Sequence, residues 1–118
     1  MPADRTARVH AAYDAFAAAD RDAIEELLAP AFTFHAPPDP DLDRDGFFER
    51  CWPGAGRAVA GFAFTRLTEI GGDEVVATYE AMRPDGTRFR NTEIFAFDGD
   101  RILRQEVYFG WELPGDST

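Results

Sequence analysis

The sequence predicts an α+β domain in which N-terminal helices pack on one face of a strongly curved, mainly antiparallel sheet. Three observations predict this class. Apolar residues recur at helical spacing before Pro30. Four runs of alternating apolar and polar residues follow Ala58, joined by short turns. Asp98-Gly99 stands between two of these runs and is a strong signal for a tight β-hairpin. Helices followed by consecutive strands are typical of the α+β class.

Length and composition fit a single domain over residues 1–118, with a loose tail at 114–118. The chain has 118 residues, of which 45% are hydrophobic, and its net charge of -10 opposes binding to nucleic acid or to an anionic membrane. The single cysteine, Cys51, excludes an intrachain disulfide and a multi-cysteine metal site. The sequence has no apolar run of signal-peptide type or of membrane-span length, so we expect a cytoplasmic protein. No sequence motif implies a cofactor or a metal.

Capping residues and prolines set the bounds of the N-terminal helices. Asp4 is suited to cap a first helix that continues to about Ala19. Asp20 or Asp22 caps a second helix, and Pro30 enforces its end. The buried stripe of this second helix is formed by Ile24, Leu27 and Leu28.

A short strand and a proline-rich loop follow the helices. The strand is expected at residues 32–36 and includes Phe34, with His35 near its end as a candidate auxiliary catalytic group. Prolines at positions 37, 38 and 40 predict an extended loop without regular structure.

A third helix is expected next, capped by Asp43 or Asp45 and ending at Pro53-Gly54. Its aromatic side could belong to the core or could cover a cavity. The same two interpretations apply to Tyr13 and Phe16 on the first helix, which could pack in the core or form the wall of a pocket against the sheet.

Four long strands complete the chain. The first two are predicted over residues 59–70, around Phe62, and over Glu74–Met82, which contains Tyr79. A turn at residues 83–86 leads to the hairpin, whose two arms lie within residues 89–111.

The hairpin places polar residues in aromatic rows. Because side chains alternate across a strand, Asn91 and Glu93 share one face of the first arm with Phe89, Phe95 and Phe97. In the second arm the corresponding row contains Leu103, Gln105, Val107, Phe109 and Trp111. A carboxylate taken into such an apolar interior must be paired, protonated or functional.

The order of elements, with the phrases FTFHAP, NTEIFAFDGDRI and EVYFGW, resembles the nuclear transport factor 2-like superfamily. Its members include ketosteroid isomerases, limonene epoxide hydrolases and SnoaL-like polyketide cyclases. The resemblance covers about residues 6–112. It implies a cone-shaped barrel, in which three helices close over a bent sheet around an apolar pocket, and a homodimer formed through the outer face of the sheet.

The resemblance carries over one acidic position. The isomerases place an acidic hydrogen-bond donor where this chain has Glu93. The epoxide hydrolases also have an acid there, with an arginine two residues earlier, where this chain has Asn91.

The other catalytic positions of these relatives are replaced. The proton-shuttling aspartate of the isomerases falls on Ala36. Their helix-one tyrosine falls near Ala12, one position from Tyr13, and one residue on a helix corresponds to about 100° of rotation. The second catalytic aspartate of the epoxide hydrolases falls on Val107. Neither known catalytic set is therefore complete.

Two functions remain open from the sequence. In the first, a small hydrophobic molecule binds in an aromatic pocket and undergoes isomerase-, cyclase- or hydrolase-type acid–base chemistry. Glu93 would be the acid or base and Asn91 would orient a carbonyl or water. The auxiliary donor would be Tyr13, His35 or Tyr79. The expected ligand-binding residues are Tyr13, Phe16, Phe34, Phe48, Trp52, Phe62, Tyr79, Phe95, Val107, Phe109 and Trp111.

The alternative is a non-catalytic binding or dimerisation module. Glu93 would then be a structural group that pairs with Arg104 or accepts a hydrogen bond from Tyr79. The outer row of the hairpin, including Ile94 and Tyr108, would form the homodimer interface.

Overall fold

The computed structural model describes residues 4–114, and within this range it contains three helical segments and six strands. Helix α1 is Arg5–Ala18 and α2 is Arg21–Leu27. The third segment, residues 44–54, begins as an α-helix over Arg44–Gly46, continues as a π-helical turn over Phe47–Cys51 and ends as a 3-10 turn over Trp52–Gly54. The strands are β1 Leu28–Ala36, β2 Asp39–Asp43, β3 Gly61–Gly71, β4 Glu74–Met82, β5 Arg88–Asp98 and β6 Arg101–Glu112.

The predicted caps are present at the helix N-termini. The side chain of Asp4 accepts hydrogen bonds from the second and third backbone N–H groups that follow it, and Asp20 caps α2 through the N–H of Ala23. Asp43, one of the two predicted caps of the third segment, accepts from the N–H of Gly46. This segment ends at Gly54, as predicted.

Two predictions around the prolines are wrong. Leu28 does not extend the buried stripe of α2, because β1 begins at this residue. Pro30 does not end the helix, which already stops at Leu27; it lies within β1, where pairing with β6 is interrupted. Pro40 is likewise not in an irregular loop, since β2 forms a short antiparallel hairpin with β1. A proline is tolerated there because β2 is an edge strand and needs no N–H on its outer side.

The sheet has the strand order β2-β1-β6-β5-β4-β3, with β1 and β6 parallel and all other described neighbours antiparallel. The predicted α+β class, with helices on a curved and mainly antiparallel sheet, is confirmed. The sheet is unclosed, because β2 and β3 are edge strands that do not pair with each other in the described chain. The helices cover its inner face, and the core lies between these layers.

The hairpin of β5 and β6 has the predicted tight turn, which consists of Gly99 and Asp100, but bulges change the face of residues in β6. Leu103 and Gly110 have no partner opposite them in β5, because the register shifts at both positions. Each bulge adds one residue and so reverses the alternation of the side chains. Ile102 is therefore fully buried opposite Phe97, and Trp111 lies opposite Arg90 on the outer face. The prediction that Leu103 and Trp111 continue the inner row is wrong.

The remaining expectations concern the chain ends and the membrane. Most of the predicted tail, residues 115–118, lies outside the described residues. Within residues 4–114, no helix combines the length and apolar character needed to cross a bilayer.

Candidate functional site

A cavity of about 380 Å³ lies between α1, the third helical segment and the inner face of the sheet. This volume is within the usual range for small-molecule sites. Its walls are mostly apolar, and its polar members are Tyr13, Asp39, Arg50, Cys51, Tyr79, Asn91, Glu93 and Gln105. The deepest polar residues are buried, whereas Arg50 and Phe109 are exposed at the mouth.

Most of the predicted ligand-binding residues line this cavity, namely Tyr13, Phe16, Phe34, Phe62, Tyr79, Phe95, Val107 and Phe109. Three do not. Phe48 packs under the guanidinium of Arg21, 4.3 Å from ring centroid to guanidinium carbon, and Trp52 contacts Phe16 from behind the cavity wall. Trp111 lies on the outer face of the sheet, where the guanidinium of Arg90 stacks over its ring.

Glu93 lies at the floor of the cavity and is 5% exposed. Its Oε2 accepts a hydrogen bond from the Tyr79 hydroxyl at 2.5 Å, and its Oε1 accepts one from Gln105 Nε2 at 2.6 Å. Burial raises the pKa of the Glu93 carboxyl, and its hydrogen bonds oppose this shift only in part. Among residues 4–114 no arginine forms an ion pair with this carboxyl.

Of the two structural partners that the sequence suggested for Glu93, Tyr79 is present and Arg104 is not. The bond to Tyr79 exists, but Arg104 lies on the outer face and contacts Glu74 and Glu106 instead. Two neutral donors satisfy the carboxyl, so it can change its protonation state without breaking an ion pair.

Asn91 holds the backbone of the bulge at Gly110. Its Oδ1 accepts a hydrogen bond from the Gly110 N–H at 3.0 Å, and its Nδ2 donates to the Tyr79 hydroxyl at 3.4 Å. The amide lines the cavity but both its ends already have protein partners. Asn91 therefore supports Tyr79 and the mouth of the cavity, and its role in orienting a ligand stays a prediction, because an amide has a second N–H donor and a second acceptor site.

The Tyr13 hydroxyl is a buried donor that lies beside the Glu93 carboxyl. The residue is 6% exposed, and within the described chain the hydroxyl makes no hydrogen bond of regular geometry. Burial raises the pKa of Tyr13, and the nearby charge of Glu93 raises it further, so the phenol stays protonated. The rotation of one helical position relative to the isomerases does not turn this side chain away, because Tyr13 and Ala12 both line the cavity.

His35 lies outside the cavity. It shares the outer side of β1 with Thr33, where its Nδ1 donates to the Pro40 carbonyl at 2.7 Å and its Nε2 lies 3.0 Å from the Thr33 hydroxyl. The inner side of this strand is occupied by Phe34 and Ala36. The structure therefore does not bring His35 to Glu93, because neighbouring residues of a strand face opposite sides.

Sequence reasoning missed two groups of the cavity. Gln105 could have been found, because it is the one polar residue in the apolar row of β6. Asp39 and Arg50 at the mouth gave no such signal, since they come from a strand and a helical turn that only tertiary packing brings together. Burial raises the pKa of the Cys51 thiol to about 12, which fits a neutral wall residue.

The fold and the cavity define a class of protein, the nuclear transport factor 2-like proteins. A nuclear transport factor 2-like protein from Burkholderia pseudomallei has a TM-score of 0.70 and 18% identity, with 92% of each chain covered. The model of the SnoaL-like domain matches residues 9–105, and the chain belongs to this family. A search of curated proteins gave no match.

Other solved structures share the fold at low identity. A protein from Kribbella flavida has a TM-score of 0.77 and 19% identity over 89% of this chain and 85% of its own. IdmH from Streptomyces antibioticus, described as a candidate polyketide cyclase, has a TM-score of 0.62 and 19% identity over 89% and 91%. TerC, crystallised with polyporic acid, has a TM-score of 0.68 and 20% identity over 90% and 91%.

Proposed function

We propose that this protein binds a small, mostly apolar carbonyl compound in the cavity and catalyses proton transfer on it, with Glu93 as the acid or base. The observation that carries the proposal is a buried carboxyl at the floor of an apolar cavity, held by two neutral donors, with no arginine paired to it in the described chain. A carboxyl with a raised pKa is suited to exchange protons near neutral pH.

The groups around Glu93 support a specific division of roles. The carboxylate removes a proton from the carbon next to the carbonyl; the electron pair of the broken C–H bond forms the enolate, and the proton stays on Glu93. The Tyr13 hydroxyl donates a hydrogen bond to the carbonyl oxygen, where negative charge develops. Tyr79 and Gln105 hold the carboxyl in position throughout. Return of the proton to another atom of the enolate would complete an isomerisation. In a cyclisation the enolate carbon would instead bond to a second carbonyl carbon of the same molecule, and the proton would pass from Glu93 to the oxygen of that carbonyl.

The relatives support the same class of chemistry by analogy of fold only. IdmH is described as a candidate polyketide cyclase, and TerC was crystallised with polyporic acid. In this chain, a flat aromatic ligand would fit between the aromatic walls of the cavity.

Hydrogen–deuterium exchange tests the proposal directly. The protein would be incubated in D₂O with small aromatic ketones such as 1-tetralone, and loss of the proton signal next to the carbonyl would be followed by NMR. We expect exchange well above the buffer rate. Binding of these ketones without any accelerated exchange would instead support the non-catalytic binding module, and absence of both would remove the small-molecule proposal.

Tyr13→Phe is expected to lower the exchange rate by about 10²-fold, because a donor to the developing oxyanion is lost. The same variant should be more stable by about 1 kcal/mol, since an unsatisfied buried hydroxyl is removed. Tyr79→Phe is the matched control and should lose stability, because its hydroxyl donates to Glu93. Urea unfolding measures the stability of both variants, and a loss of stability in Tyr13→Phe would contradict the prediction.

We also propose that two copies associate through the outer face of the sheet. Tyr108 and Trp111 are 52% and 62% exposed there, an unusual exposure for neighbouring aromatic residues. Light scattering should give twice the mass of one chain, and Tyr108→Glu should give the monomer. Ile70→Glu, on edge strand β3, is the control that should leave the dimer intact. A monomeric wild type at high micromolar concentration would contradict the proposal.

A further inference from the structure

The mouth of the cavity carries a charged pair that the proton-transfer chemistry does not use. Arg50 Nε donates to Asp39 Oδ1 at 2.9 Å, and both residues line the cavity. Arg50 and Phe47 both belong to the π-helical turn, and both line the cavity. The Arg50 side chain is 62% exposed, whereas that of Asp39 is 23% exposed.

The terminal nitrogens of Arg50 are available to a ligand. Its only hydrogen bond to the described residues uses Nε, which leaves both ends of the guanidinium fork without a protein partner there. Arg83 shows the contrast, because its two terminal nitrogens are bound to the carboxylate of Glu112 at 2.7 and 2.9 Å. A planar fork of this kind matches the two oxygens of a carboxylate.

Because the chain as a whole is negatively charged, the position of Arg50 indicates where the charged group of an anionic ligand would bind. The chain carries a formal net charge of -10, so an anionic ligand is repelled by the protein as a whole. The cavity itself contains two acidic residues, Asp39 and Glu93, and Arg50 is the one cationic side chain among its described lining residues. An acid could therefore bind with its charged group at the mouth and nowhere deeper.

We propose that Arg50 binds a carboxylate of the ligand at the mouth of the cavity. This inference rests on the proposed function and narrows its substrate class to flat aromatic acids that carry the reacting carbonyl group at the opposite end. The oxygen at that end reaches Tyr13 and Glu93, and the carboxylate stays at the solvent edge. Asp39 orients the guanidinium through Nε, and its own charge weakens the binding of the acid.

Matched ligands and variants test the inference. The probes are 6-hydroxy-2-naphthoate and its neutral carboxamide, and titration calorimetry measures Kd for each. Arg50→Gln should weaken binding of the acid by about tenfold, in the range of a lost charge-assisted hydrogen bond. The Kd of the amide should change by less than about twofold. Arg57→Gln removes the same charge from an exposed position that does not line the cavity, and it should leave both Kd values unchanged.

Asp39→Asn provides a second, independent variant. Asn keeps the acceptor for Arg50 Nε but removes the negative charge beside the carboxylate, so it should tighten binding of the acid severalfold and leave the amide unchanged. High salt should weaken binding of the acid and leave binding of the amide unchanged.

The outcomes separate this inference from the proposed function. Equal effects of Arg50→Gln on acid and amide, equal effects of Arg50→Gln and Arg57→Gln, or binding of the amide without the acid would overturn the carboxylate site and leave the cavity as a ligand site. Binding of neither probe would overturn the carboxylate site, whereas the proposed function is decided separately by binding and proton exchange of the neutral ketones.

Discussion

Glu93→Gln is expected to lower the rate of ketone proton exchange by about 10²–10⁴-fold, the usual contribution of a general acid or base. The amide has the shape of the carboxyl and can still bond with Tyr79 and Gln105, but it cannot take up a proton. The rate in D₂O, measured by NMR for wild type and variant side by side, checks this prediction.

The stability of the Glu93→Gln variant distinguishes a catalytic role of Glu93 from a structural one. Because the folded-state pKa of Glu93 is raised above the ordinary value of 4.5, the unfolded chain releases this proton first as the pH rises. The stabilising contribution of the bound proton is thus complete below pH 4.5 and is lost as the pH passes through the folded-state pKa. The amide introduced by Glu93→Gln does not titrate, so the variant should gain stability relative to wild type across this window.

A control carboxyl lies on the other face of the sheet. Glu80 binds Arg90 at 2.6 Å and Arg88 at 3.4 Å, away from the cavity. Glu80→Gln should keep the exchange activity. Urea unfolding at several pH values would contradict the catalytic interpretation if Glu93→Gln lost stability at every pH and kept its activity, because that is the behaviour of a structural group.

Gly110→Ala is expected to destabilise the protein by about 3 kcal/mol, at the upper end for overpacking. A Cβ at this position would overlap the carbonyl oxygen of Arg90, so β5 and β6 would have to separate at the bulge. This separation would also break the bond between the Gly110 N–H and Asn91, and would displace Phe109 at the mouth of the cavity.

Gly61→Ala is the matched control for this change. It also adds one methyl group to a strand, but no atom lies within 4 Å of the new Cβ. We expect its stability to remain within about 0.5 kcal/mol of wild type, as for most surface changes. Thermal or urea unfolding of the two variants provides the comparison, and equal stability of both would show that the bulge accommodates a side chain.

Local signals in the sequence determined the helices, the four long strands, the helix caps and the row containing Glu93, but not the short strand β2. These features depend on neighbours in the chain: Asp4 caps the turn that follows it, Asp98-Gly99 forms its own hairpin, and β5 keeps its alternation along its length. Glu93 could therefore be placed inside before any tertiary contact was known.

Only the tertiary structure decided the composition of the site. The bulges at Leu103 and Gly110 are invisible in an alternating pattern, yet they bury Ile102 and turn Trp111 outward. His35 does not reach the cavity, because its ring lies on the other side of β1 from Phe34 and Ala36 and bonds there with Pro40 and Thr33. The packing of the helices against the sheet determines that Asp39 pairs with Arg50 and that the Tyr13 hydroxyl lies in the cavity without a hydrogen bond of regular geometry. Contacts between distant segments are fixed by packing, which no local pattern encodes.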